Sequence, residues 1–266
     1  MFSVMNLELD PSVAEEYKNP AQITRVVSEA WADENLYCPA CLNDSLSKAR
    51  TGRPVLDFMC PECSEKYQLK SKKSPFGNKV SNSAYRPKIE AILNGTIPNF
   101  AFLQYDSSDW VVRELFVVPS HFMTESIIEK RKPLPASARR AGWVGSNILL
   151  GNLARDAKIP IVRDRKALHR KLVKRWWDQF SFMREQSVES RGWLSDILMC
   201  VRRIDQEAFT LDQVYEFEEE LSKLHPKNKH IRPKIRQQLQ VLRDKGVINF
   251  LGDGWYLVKD LEALDK

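Results

Sequence analysis

The sequence predicts a mixed chain of the α/β (α+β) class. It has an N-terminal sheet domain with an inserted four-cysteine knuckle and a C-terminal unit of three helices and a β-hairpin. Three observations carry this. Two CxxC pairs, CPAC (38–41) and CPEC (60–63), stand 18 residues apart. Period-two runs such as NFAFLQY and WVVRELFVV lie among segments of helical spacing. From Trp193 onward the order reads helix, helix, helix, hairpin.

With 266 residues, 43% of them apolar, seven Trp and twelve Phe, the chain can build one large or two ordinary cores and is not a disordered segment. No apolar run approaches the roughly 20 residues of a membrane span. The start, MFSVMNLELDPSVAEEY, is acidic and has no apolar signal core. A soluble cytoplasmic protein without a disulfide framework is expected. Net charge is +6, concentrated in runs: five basic and no acidic residues over 130–140, nine against two over 155–175, eight against one over 223–245. One such run is as well read as a solvated helix face; three together point to a polyanion partner.

The first element is a helix from Pro20 to Trp31, with Ile23, Val26, Val27 and Ala30 on one face. Next come Cys38, Cys41, Cys60 and Cys63 at zinc-ribbon spacing. Each CxxC turn points two thiolates at one ion, and two turns complete a tetrahedron, so the expected Zn²⁺ site is closed and structural. A redox CxxC is the competing reading, and the second pair at ribbon spacing disfavours it. Cys200, in LSDILMCVRRI, reads as a small core residue.

Each knuckle turns a hairpin. Pro54–Met59 is expected to enter the second knuckle as a strand, and Glu65–Ser71 to leave it. The period of two then sets Tyr67 and Leu69 against Gln68 and Lys70, and Leu56 and Phe58 against Val55 and Asp57. The hairpin brings Asp57, Gln68 and Lys70 onto one polar patch, close to the D-x(n)-[DE]-x-K pattern of metal-dependent nucleases. An aspartate binds a divalent cation through oxygen, and a lysine stabilises phosphate charge or positions the attacking water. Such triplets arise by chance in most sequences, and spacing alone favours a solvated hairpin face.

KKSPFGNKVSNSAYR reads as a basic loop, either near a phosphate backbone or simply mobile. A short helix is expected over Tyr85–Leu93, then strands Asn99–Tyr105 and Trp110–Val118 around the turn DSSD. RKPLPASARRAGWVGSNILL, from Arg131, reads as an extended loop on which Arg139 and Arg140 flank Trp143. That ring either stacks on a base or plugs the edge of a core. Residues 155–183 read as basic and helical, with Trp176, Trp177, Phe180 and Met183 packing. EQSVESRG (185–192) has one apolar residue, Val188, and is taken as the domain boundary.

In the C-terminal unit, Ile197, Leu198, Val201 and Ile204 share one side of the first helix. Thr210 with Gln213 three residues on makes a capping box for the second, acidic helix. The third carries Ile231, Ile235, Leu239 and Leu242 on one stripe and ends at Gly246. VINFL and GWYLV flank GDG as a hairpin. This is the order of a winged helix-turn-helix. Arg232, Arg236, Gln237, Gln240 and Arg243 would line the outer face of the third helix, where Arg suits guanine and Gln suits adenine. A helical dimerisation domain is the alternative.

YCPACLNDSL, RPVLDFMCPECSEKYQLKSKK, RKPLPASARRAGWVGSNI, SRGW and HIRPKIRQQLQVLRDKGVINF occur in that order. On these strings the chain resembles, nearly end to end, the DpnI family of methyl-directed type II restriction endonucleases, which cut GATC sites carrying N6-methyladenine. The resemblance implies a PD-(D/E)xK nuclease domain (1–184) containing the zinc ribbon (38–63), followed by a winged helix (185–266). It implies Asp57, Gln68 and Lys70 as nuclease residues with Mg²⁺ on Asp57 and Gln68. Arg139, Arg140 and Trp143 would form a DNA-facing loop, and the winged-helix Arg and Gln residues a second reader. The partner implied is methylated double-stranded DNA, bound by a protein monomeric in solution. One departure stands out: the family pattern has a glutamate where this chain has Gln68. An amide keeps a carbonyl ligand but loses the charge, so Mg²⁺ affinity should fall. Glu65 is the nearby acid that would compensate. A non-catalytic zinc-ribbon and winged-helix regulator is the rival reading.

Overall fold

The structure, a computed structural model, describes residues 4–49 and 56–259. Pro54 and Val55, expected at the start of the incoming strand, lie outside the described residues.

After a 3-10 turn at Pro11–Ala14 comes α1 (Pro20–Asn35), capped by the Asn19 side chain on Ala21 N–H with proline in its first turn, where a missing N–H costs nothing. Short strands β1 (Ser47–Lys48) and β2 (Phe58–Met59) precede the longer β3 (Lys66–Lys72). Then come β4 (Lys79–Ala84), α2 (Tyr85–Leu93), β5 (Asn99–Asp106) and β6 (Val111–Val118). They are followed by β7 (Ile128–Lys130), β8 (Gly145–Leu149), β9 (Ile159–Arg163), β10 (Lys166–Ala167) and α3 (Arg170–Gln179). The C-terminal unit holds α4 (Val188–Ile204), β11 (Ala208–Thr210), α5 (Leu211–Tyr215), α6 (Glu218–Leu224), α7 (Ile231–Asp244), β12 (Ile248–Gly252) and β13 (Trp255–Val258).

A seven-stranded mixed sheet, ordered β1-β2-β3-β5-β6-β9-β10, organises the N-terminal part. The β3–β5 pairing is parallel and the others antiparallel. Central β5 is buried on both faces, which is why NFAFLQY is apolar almost throughout. Its Ala101, Leu103 and Tyr105 join the core formed with α1, α3 and the knuckle cysteines Cys38 and Cys60. Its Phe100 and Phe102 face the opposite core, shared with α2, the small sheet β4-β8-β7, and α4, α5 and α7 of the C-terminal unit. That second core runs unbroken from the sheet into the helices. The two parts are further tied by a buried ion pair in which Arg202 of α4 chelates Asp156, with Nε 2.7 Å from Oδ2. Ser126 also donates to Asp196 Oδ1 at 2.9 Å.

Three expectations need correction. Residues 155–183 are not one helix: β9 and β10 precede α3. Ile159 and Ile161 point into the core with Pro160 between them, a period of two that the basic residues obscured. The β6–β9 register shifts beside Pro160, which has no N–H to offer the ladder. The polar segment after Lys72 is not all loop, because β4 zips onto β8. The segment from Arg131 keeps its turns, but Gly145–Leu149 is β8, the middle strand of that small sheet. Within 185–192, the stretch taken as the domain boundary, Ser187 caps α4 and residues 188–192 form its first turn.

The C-terminal unit follows expectation, with an added strand. Thr210 and Gln213 form the reciprocal capping box. The acidic helix breaks into α5 and α6. β11 joins the hairpin in a three-stranded sheet ordered β11-β13-β12. The wing turn holds three successive positive φ angles, Gly252 (99°), Asp253 (48°) and Gly254 (76°), a conformation that two glycines make cheap.

Candidate active site

The two knuckles are built alike. Leu42 N–H bonds the Cys38 carbonyl and Cys38 N–H the Asn43 carbonyl; Ser64 N–H bonds the Cys60 carbonyl and Cys60 N–H the Glu65 carbonyl. Leu42 (φ 63°) and Ser64 (φ 61°) occupy matching left-handed positions. The four sulfur atoms lie within 4.8 Å of one another, with Cys38–Cys63 at 3.5 Å and Cys41–Cys60 at 3.6 Å. A tetrahedron with Zn–S of about 2.3 Å has sulfurs about 3.8 Å apart, so this donor set fits Zn²⁺. The Tyr67 hydroxyl, fully buried, lies 3.1 Å from Cys38 Sγ and can donate to it as a thiolate.

The second knuckle closes the β2–β3 hairpin and thereby places Asp57. Its N–H bonds the Tyr67 carbonyl at 3.1 Å, and its Oδ2 accepts the Leu69 N–H at 2.8 Å. Along β3, Tyr67 and Leu69 pack toward the core under α1. Gln68 and Lys70 take the other face, opposite Phe100 and Phe102 of β5. Asp57 and Lys70 feel each other's charge. Burial pushes the Asp57 carboxyl up, opposed by the Leu69 N–H and by Lys70, Arg25 and Lys88. Burial likewise pushes Lys70 down, opposed by Asp57. The hairpin therefore sets Asp57 and Lys70 within reach of each other's charge at half-buried positions, where charges act more strongly than in water, with Gln68 between them along the chain.

Two neighbours were missed by the sequence reading. Lys88, on the inner face of α2, is 2% exposed and sends Nζ toward Gln68 Oε1 at 3.5 Å. Burial first, then the Lys70 charge, push it down to about 7, against the pull of Asp57. A lysine three residues after Tyr85 and one before Ile89 gave no signal; only the folding of α2 over β3 does. Glu29 of α1 is half-buried and pushed up, by burial first, and it shares the charge environment of Asp57 and Arg25. Glu65, the expected compensating acid, is engaged elsewhere. Its Oε1 accepts from Arg184 at 2.6 Å and its Oε2 from Asn99 at 2.7 Å.

Asp57 and the Gln68 carbonyl are hard oxygen donors, and Mg²⁺ commonly takes only one or two protein ligands and keeps its waters, so the pair fits that ion. An open groove of about 470 Å³ is lined by Arg25, Ser71, Lys72, Lys73, Tyr105 and Trp110.

The other DNA-facing candidates lie apart from this cluster in sequence. Arg139 and Arg140 are exposed on a turn that continues the β7–β8 pairing, with Leu134 N–H bonded to the Trp143 carbonyl. The Trp143 ring packs on Gly145, where a Cβ would stand 2.7 Å from it, and the Arg140 guanidinium lies 4.9 Å from its centroid. On α7, Arg232, Arg236, Gln237, Gln240 and Arg243 are all exposed, while Ile231, Ile235, Leu239 and Leu242 are buried. Arg232 is held by Glu218 at 2.7 Å, Arg236 by the Tyr215 hydroxyl at 2.7 Å, and Arg243 by its neighbour Asp244. Gln237 accepts from the neighbouring Gln238 amide at 3.3 Å, and neither Gln237 nor Gln240 has a charged partner among the described residues.

Residues 5–186 match the family model described as DpnI, the Dam-replacing family, and residues 189–257 match that of the Dam-replacing HTH domain. Among the described residues no helix is long and apolar enough to cross a membrane.

Proposed function

Because the chain belongs to the DpnI, Dam-replacing family of restriction endonucleases, we propose that it is a Mg²⁺-dependent type II enzyme that hydrolyses double-stranded DNA at GATC sites carrying N6-methyladenine. The reading rests on one observation above all: Asp57, Gln68 and Lys70 share the knuckle-closed β2–β3 hairpin. Mg²⁺ held by Asp57 and the Gln68 carbonyl would supply Lewis-acid polarisation of the phosphate and an acidified water. The remaining work belongs to the chain. The Leu69 N–H fixes the Asp57 carboxylate. Lys70, beside it, sets an ammonium against the charge that develops on the scissile phosphate. The zinc knuckle keeps the hairpin in register. Residues 1–184 act as the PD-(D/E)xK nuclease domain and 185–266 as the winged helix, and both contact the methylated site as a monomer in the cytoplasm. Arg139 and Arg140 meet the backbone, Trp143 offers an apolar wall to the methyl group, and the α7 Arg and Gln residues read base edges.

The test compares methylated with unmethylated plasmid under Mg²⁺, for the wild type and Lys70→Ala. Wild-type protein should cut only the methylated plasmid, and the variant should cut about 10²- to 10³-fold more slowly while still binding. Intact methylated plasmid at every Mg²⁺ concentration would overturn the enzyme reading. The rival, a DNA-binding regulator, is favoured by Gln68 standing where a second acid is expected, and predicts binding without cleavage by either protein.

A further inference from the structure

Lys88 is a buried cation without an acidic partner: among the described residues it has no ion pair. Its ammonium lies 4.8 Å over the Phe100 ring and makes its hydrogen bond to the Gln68 amide oxygen. Burying an unpaired ammonium is costly, and such a group persists where its charge is used. The formal charges that act on one another around Asp57 are those of Lys70, Lys88 and Arg25 on the basic side and Glu29 on the acidic side. Two acids, of which Glu29 is pushed toward its neutral form by burial, stand against three cations, and with Gln68 neutral the centre is net cationic.

We propose that Lys88 is the built-in second cation of the cleavage centre, standing in for positive charge that a second acidic ligand would otherwise draw in as tightly held metal. The inference rests on the nuclease reading above and deepens it. Lys88 is too buried to touch DNA, so it is a positioning residue. It orients the Gln68 carbonyl, contributes to the field at the scissile phosphate through that amide, and opposes a divalent ion at Asp57. A glutamine at position 68 and a lysine at position 88 then form one unit: the lost negative charge is answered by an added positive one, and the centre works with a weakly held, readily exchanged ion.

The experiment follows Mn²⁺ binding to zinc-loaded full-length protein, without DNA, through the EPR signal of the free ion. Lys88→Met keeps an unbranched chain in the slot over Phe100. Removing a like charge from a partly dry site should tighten Mn²⁺ binding at least about tenfold. At saturating metal the same variant should cut methylated DNA more slowly, by about 10- to 100-fold. Tighter metal with slower cutting is a combination that simple structural damage does not produce. Gln68→Glu should tighten Mn²⁺ far more in the Lys88→Met background than alone, because alone the new carboxylate pairs with Lys88. Lys88→Arg should hold metal as weakly as the wild type. If Lys88→Met is poorly folded by circular dichroism, Lys88→Gln replaces it with the same expectation. Unchanged or weaker Mn²⁺ affinity in a folded, uncharged variant overturns the proposal. A wild-type protein that cuts no methylated DNA sinks the nuclease reading alone, and the Mn²⁺ titrations still decide for or against Lys88.

Discussion

Acid should loosen the junction between the sheet and the winged helix, and His121 is the group that makes it do so. His121 sits in the turn Ser120–Phe122, which packs against α4, and is 1% exposed. Its ring lies 4.9 Å from Phe122 and 6.5 Å from Trp177, and neither ring nitrogen has a hydrogen-bond partner among the described residues. Burial first, then the Arg184 and Arg191 charges, push the imidazole down to about 3. In the unfolded chain it titrates near 6.5. The folded value is the lower one, so the unfolded chain binds the proton more readily. The histidine therefore costs nothing well above about pH 6.5 and destabilises progressively as pH falls toward 3. From about pH 6.5 to about pH 5 the loss is about 1.5 units at 1.36 kcal/mol each, or about 2 kcal/mol. His121→Phe keeps an aromatic ring in the slot and removes the proton site. Urea unfolding followed by tryptophan fluorescence at a series of pH values gives both stability curves. The wild type should lose about 2 kcal/mol more than the variant over that interval, with every other titration cancelling in the difference. Parallel curves would refute the assignment of a neutral, unpartnered imidazole at this junction.

Metal analysis should find one zinc per chain; Cys60→Ser should lose it, lower the melting temperature and abolish cleavage, since the β2–β3 hairpin that carries Asp57 is closed by that knuckle. Arg202→Met leaves Asp156 buried without its cation and should cost about 3–5 kcal/mol in urea unfolding, most of it recovered in the double variant with Asp156→Leu. Gln240→Ala on the exposed face of α7 should weaken binding to the methylated site by about 1–3 kcal/mol in a gel-shift assay and leave nonspecific affinity unchanged. Gly145→Ala sets a methyl 2.7 Å from the Trp143 ring, and displacing that ring should reduce discrimination between methylated and unmethylated sites more than it reduces stability.

Local signals located much of the site. CxxC spacing marked the four sulfurs that the fold gathers within 4.8 Å of one another, because each turn by itself points its two thiols the same way. Alternation along β3 put Gln68 and Lys70 on one face for the same reason. Lys88, Glu29 and the engagement of Glu65 were invisible, since each depends on which helix or loop lies over the strand. The error at 155–163 had a readable remedy: Ile159, Pro160 and Ile161 carry a strand's period that a charge count cannot see.

The order of elements, the knuckles, the capping box at Thr210 and the buried stripe of α7 follow from the chain alone. Each is decided by residues within a few positions of one another, through turn chemistry, caps and periodicity. Only the tertiary structure decided that β4 would find β8, that α4 would fuse the two parts into one core, and that a lysine from α2 would settle on the Gln68 amide. Those outcomes turn on contacts between segments far apart in sequence, whose polar surfaces show no preference until burial gives them a partner.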